Sequence, residues 1–185
     1  MHNLGELYLS PFLAVDHLRT SLRLNVGFII KESIGYSRVF PFDYNQIHLE
    51  PDLDLVKFKG TAEITRTPQG LLVQADLSAL LAGECGRCLK SLLIPLRTKF
   101  TELYALSQRH VTESGLILPE DGHIDLEPLA REYLILEIPI NRICKPDCKG
   151  LCSVCGENLN LVDCGHHPEN IDPRFSILKN LLSDT

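Results

Sequence analysis

The spacing of the cysteines is the feature that most constrains this chain. Two of the seven form a Cys-x-x-Cys pair in AGECGRCLK, and the other five fall within one short segment that ends in Cys-Gly-His. Two thiolates separated by two residues can both reach one ion when the chain makes a tight turn. This pattern predicts bound zinc, whose structural sites are usually closed by four Cys or His ligands. The candidate metal ligands are Cys85, Cys88, Cys144, Cys148, Cys152, Cys155, Cys164 and His166.

Two groupings of these ligands are compatible with the sequence. The first has two ions, one held by Cys152, Cys155, Cys164 and His166, and the other by Cys85, Cys88, Cys144 and Cys148. The second has a single ion, held by Cys144, Cys148, Cys152 and Cys155. The first grouping requires the turn at 85–88 to lie beside 144–148 in space. His167 is a weaker candidate than His166, because the Cys-x-ligand spacing points to the nearer histidine.

Redox and catalytic roles for these cysteines are less well supported. A thioredoxin-like Cys-x-x-Cys needs its second cysteine at the start of a helix, whereas Cys88 leads into a strand-like run. No HExxH or HxE signature accompanies the histidines, as many catalytic zinc sites would have. A single cysteine is often only a small buried hydrophobe, but seven clustered ones favour metal in a reducing compartment.

Composition places the chain among ordinary globular proteins. It has 185 residues, of which 44% are hydrophobic and 23% charged. Its apolar runs are far shorter than the ~20 residues of a membrane-spanning helix, and it begins without a signal-peptide pattern. We therefore expect a cytoplasmic protein without a membrane partner.

Charge is distributed unevenly along the chain. The net charge of −6 argues against general binding of polyanions, but residues 84–110 contain five basic and two acidic side chains. Such a basic hairpin could contact phosphates, although a solvated strand face would have the same composition. The candidate nucleic-acid contacts are Arg87, Lys90, Arg97 and Lys99.

Hydrophobic patterning predicts an α+β protein. A mostly antiparallel β-domain is expected over 1–110, followed by a helical, zinc-binding part over 120–185. Alternation over 36–42 predicts a strand that Pro41 either weakens or places at a sheet edge. Residues 52–82 predict a β-hairpin that turns at TPQG, and a further strand follows the turn at 85–88.

Three helices are also expected. Polar residues over 107–123 predict a loop, after which a helix follows with Asp125 as N-cap, Pro128 in its first turn and Pro139 at its end. Apolar spacing suggests a short helix within 10–26 and another from Asp172 onward.

Three strings of this sequence together resemble the YceD family of large ribosomal RNA subunit accumulation proteins. They are CGRCL, CKPDCKGLCSVCGENLN and DPRFSILKNLL. The resemblance is close from Cys85 to the C-terminus and looser over the N-terminal third. The family's CxRC motif is matched by Cys85, Arg87 and Cys88, and its second cluster by Cys144, Cys148, Cys152 and Cys155. Many members end that cluster with Cys-x-Cys, where this chain has Cys164-Gly-His166.

This resemblance implies a bacterial, non-enzymatic ribosome-biogenesis factor with structural zinc. Its role would lie in the synthesis, processing or stability of large-subunit rRNA. The implied partner is large-subunit rRNA or a large-subunit ribosomal protein, and no small-molecule substrate is expected. The acidity of the chain leaves an alternative open, an adaptor that binds a basic ribosomal protein without touching RNA.

Overall fold

The structure is a computed structural model that describes residues 22–166. Four long strands form one antiparallel sheet in the order β2-β3-β4-β5, and two short strands, β1 and β6, form a second. The elements are β1 Arg23–Asn25, α1 Gly27–Ile30, β2 Ser37–Leu49, β3 Leu53–Arg66, β4 Gly70–Glu84, β5 Ser91–Ala105, β6 His123–Asp125 and α2 Glu127–Leu136. The prediction of a mostly antiparallel β protein is confirmed.

The hairpin predicted over 52–82 is the β3–β4 pair. Its turn is closed by the Thr67 amide, which donates to the Gly70 carbonyl at 2.9 Å, and by the Thr67 hydroxyl, which donates to the same oxygen at 3.0 Å. Glycine is needed at position 70 because a Cβ there would lie 2.1 Å from the Tyr104 carbonyl oxygen. The hairpin and the next strand can therefore pair closely.

The sheet has one buried and one exposed face, as the alternation in β5 requires. Leu96, Thr98 and Phe100 point into the core, whereas Arg97 and Lys99 face solvent. Pro41 lies in β2, which is an edge strand, so the missing amide hydrogen does not interrupt the sheet.

Helix α2 packs against the buried face and shares its core. The rings of Phe100 and Tyr133 stack at 4.6 Å with 9° between their planes. The Tyr133 hydroxyl donates to Glu102 Oε1 at 2.7 Å, and Glu127 Oε1 accepts the Glu50 amide at 2.9 Å. These contacts fix the helix, and the chain that follows it, relative to the long strands.

Several elements differ from the sequence predictions. The N-cap of α2 is Leu126, so the prediction of Asp125 was wrong by one residue. Asp125 nevertheless contacts the start of the helix, because its Oδ1 accepts a hydrogen bond from the Glu127 amide at 2.9 Å. The predicted loop contains a 3-10 turn at Gln108–His110. The pairing of β1 with β6, and helix α1, were not predicted.

Some predictions fall outside the described part of the chain. The helix within 10–26 lies mostly there, and its last residues form β1 instead. The helix from Asp172 and the position of His167 also lie outside 22–166. Within that range, no helix combines the length and the apolar character needed to cross a membrane.

Candidate metal centres at the hairpin tip

The turn between β4 and β5, residues 85–90, forms the tip of the longest hairpin. Strand pairing ends at Glu84 and Ser91, which face each other. The Cys85 amide then donates to the Lys90 carbonyl at 2.9 Å, and the Leu89 amide to the Cys85 carbonyl at 3.0 Å. This tight turn confirms the local prediction for CGRC and turns both cysteines of the pair inward, where they are buried.

The first ligand group joins this tip to the distant cysteine segment. The Sγ atoms of Cys85 and Cys148 lie 3.9 Å apart, and those of Cys88 and Cys144 lie 3.6 Å apart. All four sulfur atoms are within 4.8 Å of one another, so they could hold one metal ion. Three of the four are buried and Cys144 is partly so, which leaves the group largely closed to solvent.

The second ligand group is local and more exposed. It comprises Cys152, Cys155, Cys164 and His166, whose ligand atoms also lie within 4.8 Å of one another. Cys152 is buried, but Cys155 and His166 are exposed. The fold thus brings together both ligand sets of the two-ion grouping. The four cysteines of the single-ion alternative do not form one site, because Cys144 and Cys148 lie in the first group and Cys152 and Cys155 in the second.

The first cysteine of each Cys-x-x-Cys turn has a lowered pKa, which favours its thiolate form. Backbone amides of Cys88 and Arg87 lower the pKa of Cys85 to about 6, and those of Cys155 and Val154 lower the pKa of Cys152 to about 6. Burial instead raises the pKa of Cys144 to about 12, and the neighbouring thiols add to the effect. Four thiolates therefore require a cation between them, which is what a bound metal supplies.

Arg87 and Asn160 connect the tip, the cysteine segment and the second group. Arg87 Nη1 donates to the Cys148 carbonyl at 2.8 Å, and the Arg87 carbonyl accepts the Leu151 amide at 3.1 Å. Asn160 Nδ2 donates to Cys148 Sγ at 3.4 Å, and its Oδ1 accepts the Lys149 amide at 2.9 Å. Sequence reasoning missed Asn160, although it lies within the quoted GENLN string.

The four predicted nucleic-acid contacts fall in two different places. Arg97 and Lys99 lie on the exposed sheet face, where both pair with Asp76, at 3.2 and 2.8 Å. Hydrogen bonds from these two side chains lower the pKa of Asp76. Arg87 and Lys90 lie at the tip, close to Arg142, whose carbonyl accepts the Gly86 amide at 2.7 Å. Arg142 was not predicted, because only the fold brings it to the tip.

These features define a class: an antiparallel β-sheet protein whose hairpin tip and cysteine segment form two four-ligand groups suited to metal. The family model described as "Large ribosomal RNA subunit accumulation protein YceD" matches residues 73–182, which include every one of those ligands. The chain belongs to this family, as its motifs predicted.

Individual relatives are similar over varying lengths. An uncharacterized protein of Mycobacterium tuberculosis is 35% identical over 143 residues, covering 72% of this chain and 64% of the relative. An uncharacterized Bacillus subtilis protein is 26% identical over 133 residues, covering 69% and 74%. A chloroplastic "Large ribosomal RNA subunit accumulation protein YCED homolog 1" of Arabidopsis thaliana is 41% identical over 63 residues, covering 34% and 20%.

The match spans 64% of the length of the Mycobacterium bovis and Mycobacterium tuberculosis relatives and 54% of the Mycobacterium leprae one. No solved structure matches this chain.

Proposed function

We propose that this chain is a non-enzymatic ribosome-biogenesis factor that binds large-subunit rRNA through its zinc-stabilised hairpin tip. The family description and the name of the plant relative both refer to accumulation of the large ribosomal RNA subunit. Binding would support synthesis, processing or stability of that RNA. In a bacterium this work takes place in the cytoplasm, where thiols stay reduced and available to metal.

Zinc is the metal that the first ligand group suits best. Four sulfur ligands select zinc or an iron–sulfur centre over the harder cations that prefer oxygen. A tetrahedral shell with zinc–sulfur bonds of 2.3 Å places its sulfur atoms roughly 3.8 Å apart. The separations of 3.9 Å between Cys85 and Cys148 and 3.6 Å between Cys88 and Cys144 agree with a single tetrahedral ion. The second group, with three sulfurs and one imidazole, offers an equally common zinc ligand set.

A structural role for this zinc is supported over a catalytic or redox one. Each group supplies four protein ligands, whereas catalytic zinc keeps a position for water or substrate. The pair Cys85 and Cys88 lies in a turn between antiparallel strands rather than at a helix N-terminus, where thioredoxin-like pairs lie.

The local charge at the tip is the observation that carries the RNA proposal. Segments 84–90 and 142–150 contain five cationic and two acidic side chains, a net charge of +3. The rest of the chain carries −9, since the total is −6. A zinc ion with four thiolates has a formal charge of −2, so the tip stays positive with the ion bound. Clustered cations of this kind contact phosphates. Arg97 and Lys99 pair with Asp76, and among the five cations counted here Lys145 pairs with Asp147 at 3.3 Å, a charge already included in the net value.

Salt-dependent binding tests this proposal. The purified zinc-loaded protein should bind a large-subunit rRNA fragment at low salt, with log affinity falling linearly as log salt concentration rises. K90E should weaken binding and reduce the slope by at least about one, because it removes a phosphate contact and reverses the charge. K31E is the matched control, because Lys31 follows α1 near the opposite end of the long strands. An equal loss in both variants, or no binding at low salt, would refute direct RNA contact.

A specific observation favours the adaptor alternative as the second candidate. A groove of about 510 Å³ beside α2 is lined by four carboxylates and by apolar side chains, including Ile135 and Leu136. Among the described residues that line it, the only cation is Arg131, which is paired with Asp52 at 2.5 Å. Such a groove fits a basic segment with aliphatic side chains, as ribosomal proteins carry. Capture of a ribosomal protein by a chain that fails to bind rRNA would favour this alternative.

A further inference from the structure

Leu89, the residue after the first Cys-x-x-Cys pair, has a backbone conformation that its side chain disfavours. Its φ of 58° is in the left-handed region, where the Cβ approaches the following carbonyl oxygen. The equivalent residue after the second pair is Gly156, with a φ of 76°. Glycine adopts this conformation without that cost, so the turn itself does not require a leucine.

Another non-glycine residue of the described chain with positive φ has a local explanation. Lys57 has a φ of 53° and lies in β3 at the register shift between Val56 and Lys59. Such bulges commonly place one residue in an unusual conformation. Leu89 is in no strand, and no bulge accounts for it.

Packing within the fold does not account for Leu89 either. Its side chain is 58% exposed, and it belongs to neither cluster of buried residues. The Cys-x-x-Cys turn fixes the left-handed conformation here, as it does at Gly156, but it does not require an exposed leucine. Residues kept in sparsely populated backbone conformations are typical of functional sites. A strained and exposed leucine indicates that the side chain itself is used, in contact with something outside the described chain.

The surroundings of Leu89 combine apolar surface with positive charge. A shallow groove of about 640 Å³ begins two residues away at Ser91. Its lining includes Leu93, which is 55% exposed, and one charged side chain, that of Glu84. Arg142 Nη1 reaches this hairpin, 3.9 Å from where a Cβ on Gly83 would lie. Lys90 is the next residue in the chain. Exposed aliphatic groups within a cationic cluster match a ligand with apolar faces and negative charge, which is the chemistry of nucleobases on a phosphate backbone.

We propose that Leu89 packs against unstacked nucleobases of large-subunit rRNA while the surrounding cations contact its phosphates. This inference rests on the proposed function, since it concerns the same tip. Apolar side chains, leucine among them, can wedge between bases of a duplex, but there they must unstack a base step at a cost of a few kcal/mol. Bases that are already unstacked do not carry that cost. A regular RNA helix keeps its bases stacked and its deep groove closed to side chains. The tip should therefore select loops or bulges over continuous duplex.

The test compares two short RNAs, a hairpin with an unpaired loop and a continuous duplex of equal length. Binding of the full zinc-loaded chain is measured by fluorescence anisotropy at several salt concentrations. L89G and L89N are the variants, since both residues tolerate the left-handed conformation. I140N is the matched control, because Ile140 is an aliphatic residue, 97% exposed, outside the tip segments. Zinc content and the thermal midpoint are recorded for each protein.

Both Leu89 variants should keep their zinc and a thermal midpoint at or above that of the parent. They should lose roughly tenfold in affinity for the loop RNA, the scale of burying a leucine side chain against an apolar surface. The salt slope should not change, because no charge is removed. I140N should bind as the parent does, and duplex affinity should be the same in all four proteins.

The contradicting outcomes separate this inference from the proposed function. If the parent binds neither RNA, the proposed function fails. If the parent binds the loop RNA and L89G binds it equally well, only the Leu89 inference is wrong. Loss of zinc or a lowered midpoint in both variants would show a structural role and overturn it as well. The Leu89 inference would also be overturned if both variants kept full RNA binding but no longer captured a ribosomal protein.

Discussion

Removing the metal should release the cysteine segment while leaving the sheet folded. Segment 142–166 has 25 residues, none of which belongs to the main hydrophobic core of the described chain. Apart from bonds to sulfur, three hydrogen bonds tie it to the tip: Gly86 to Arg142, Leu151 to Arg87, and Arg87 to Cys148.

The magnitudes show why metal is needed to hold this segment. Fixing the backbone costs at least about 1 kcal/mol per residue, or roughly 25 kcal/mol for the segment. Three hydrogen bonds offset about 3 kcal/mol of that. Zinc binding to zinc-finger peptides has an apparent free energy of roughly 10–16 kcal/mol even after the chain ordering that it drives, so sites of this kind are strong enough to hold the segment. The long sheet has its own core and does not depend on this term.

Limited trypsinolysis after chelation measures the release. The zinc-loaded protein should resist cleavage after Arg142 and Lys149, and the metal-free protein, kept reduced, should be cut at both. Far-ultraviolet circular dichroism should retain the strand signal, and added zinc should restore resistance. Continued protection of both sites without metal would refute the reasoning, as would loss of the strand signal together with the segment.

Three further outcomes follow from particular contacts. N160D removes the amide donor to Cys148 Sγ but keeps an acceptor for the Lys149 amide. It should lower zinc affinity by about 10-fold or more in a chelator competition. Equal affinity would contradict the role of that hydrogen bond. F58A removes a fully buried ring and should lower the free energy of unfolding by about 3–5 kcal/mol in urea titrations, with zinc content unchanged. A hydrogen bond to an aspartate raises the pKa of His48 above its usual 6.5, so its stabilisation is complete below that value and is lost as pH rises through the folded pKa. The urea midpoint of H48Q should therefore lack the decline that the parent shows as pH rises above 6.5, and parallel curves would contradict this.

Local patterns in the sequence predicted most of the sheet. The alternation that runs through Leu96 and Phe100, the turn at 67–70 and the edge position of Pro41 each depend on residues close together in the chain. The pairing of β1 with β6 could not be predicted, because it joins Arg23 to Asp125 across about 100 residues and neither strand exceeds three residues.

In the candidate site, too, the local features were predicted and the long-range ones were not. The Cys-x-x-Cys spacing identified both turns, but it could not show that Cys85 would lie 3.9 Å from Cys148. That separation depends on α2, which carries the chain back toward the tip. The roles of the basic residues depend on strand pairing instead: Arg97 of β5 pairs with Asp76 of β4, which lies outside the 84–110 window whose charge was counted. A comparison of the two Cys-x-x-Cys turns could have identified Leu89, because a leucine follows the first pair whereas a glycine, Gly156, follows the second.

Metal stoichiometry tests the two-centre account most directly. Elemental analysis of the purified, reduced protein should give two zinc ions per chain, one for each four-ligand group. C88S and C155S should each retain one, because each change removes a ligand from a different group. A parent value of one ion, or loss of both ions in either variant, would contradict two separate centres. A value near zero with freely titrating thiols would remove the metal altogether.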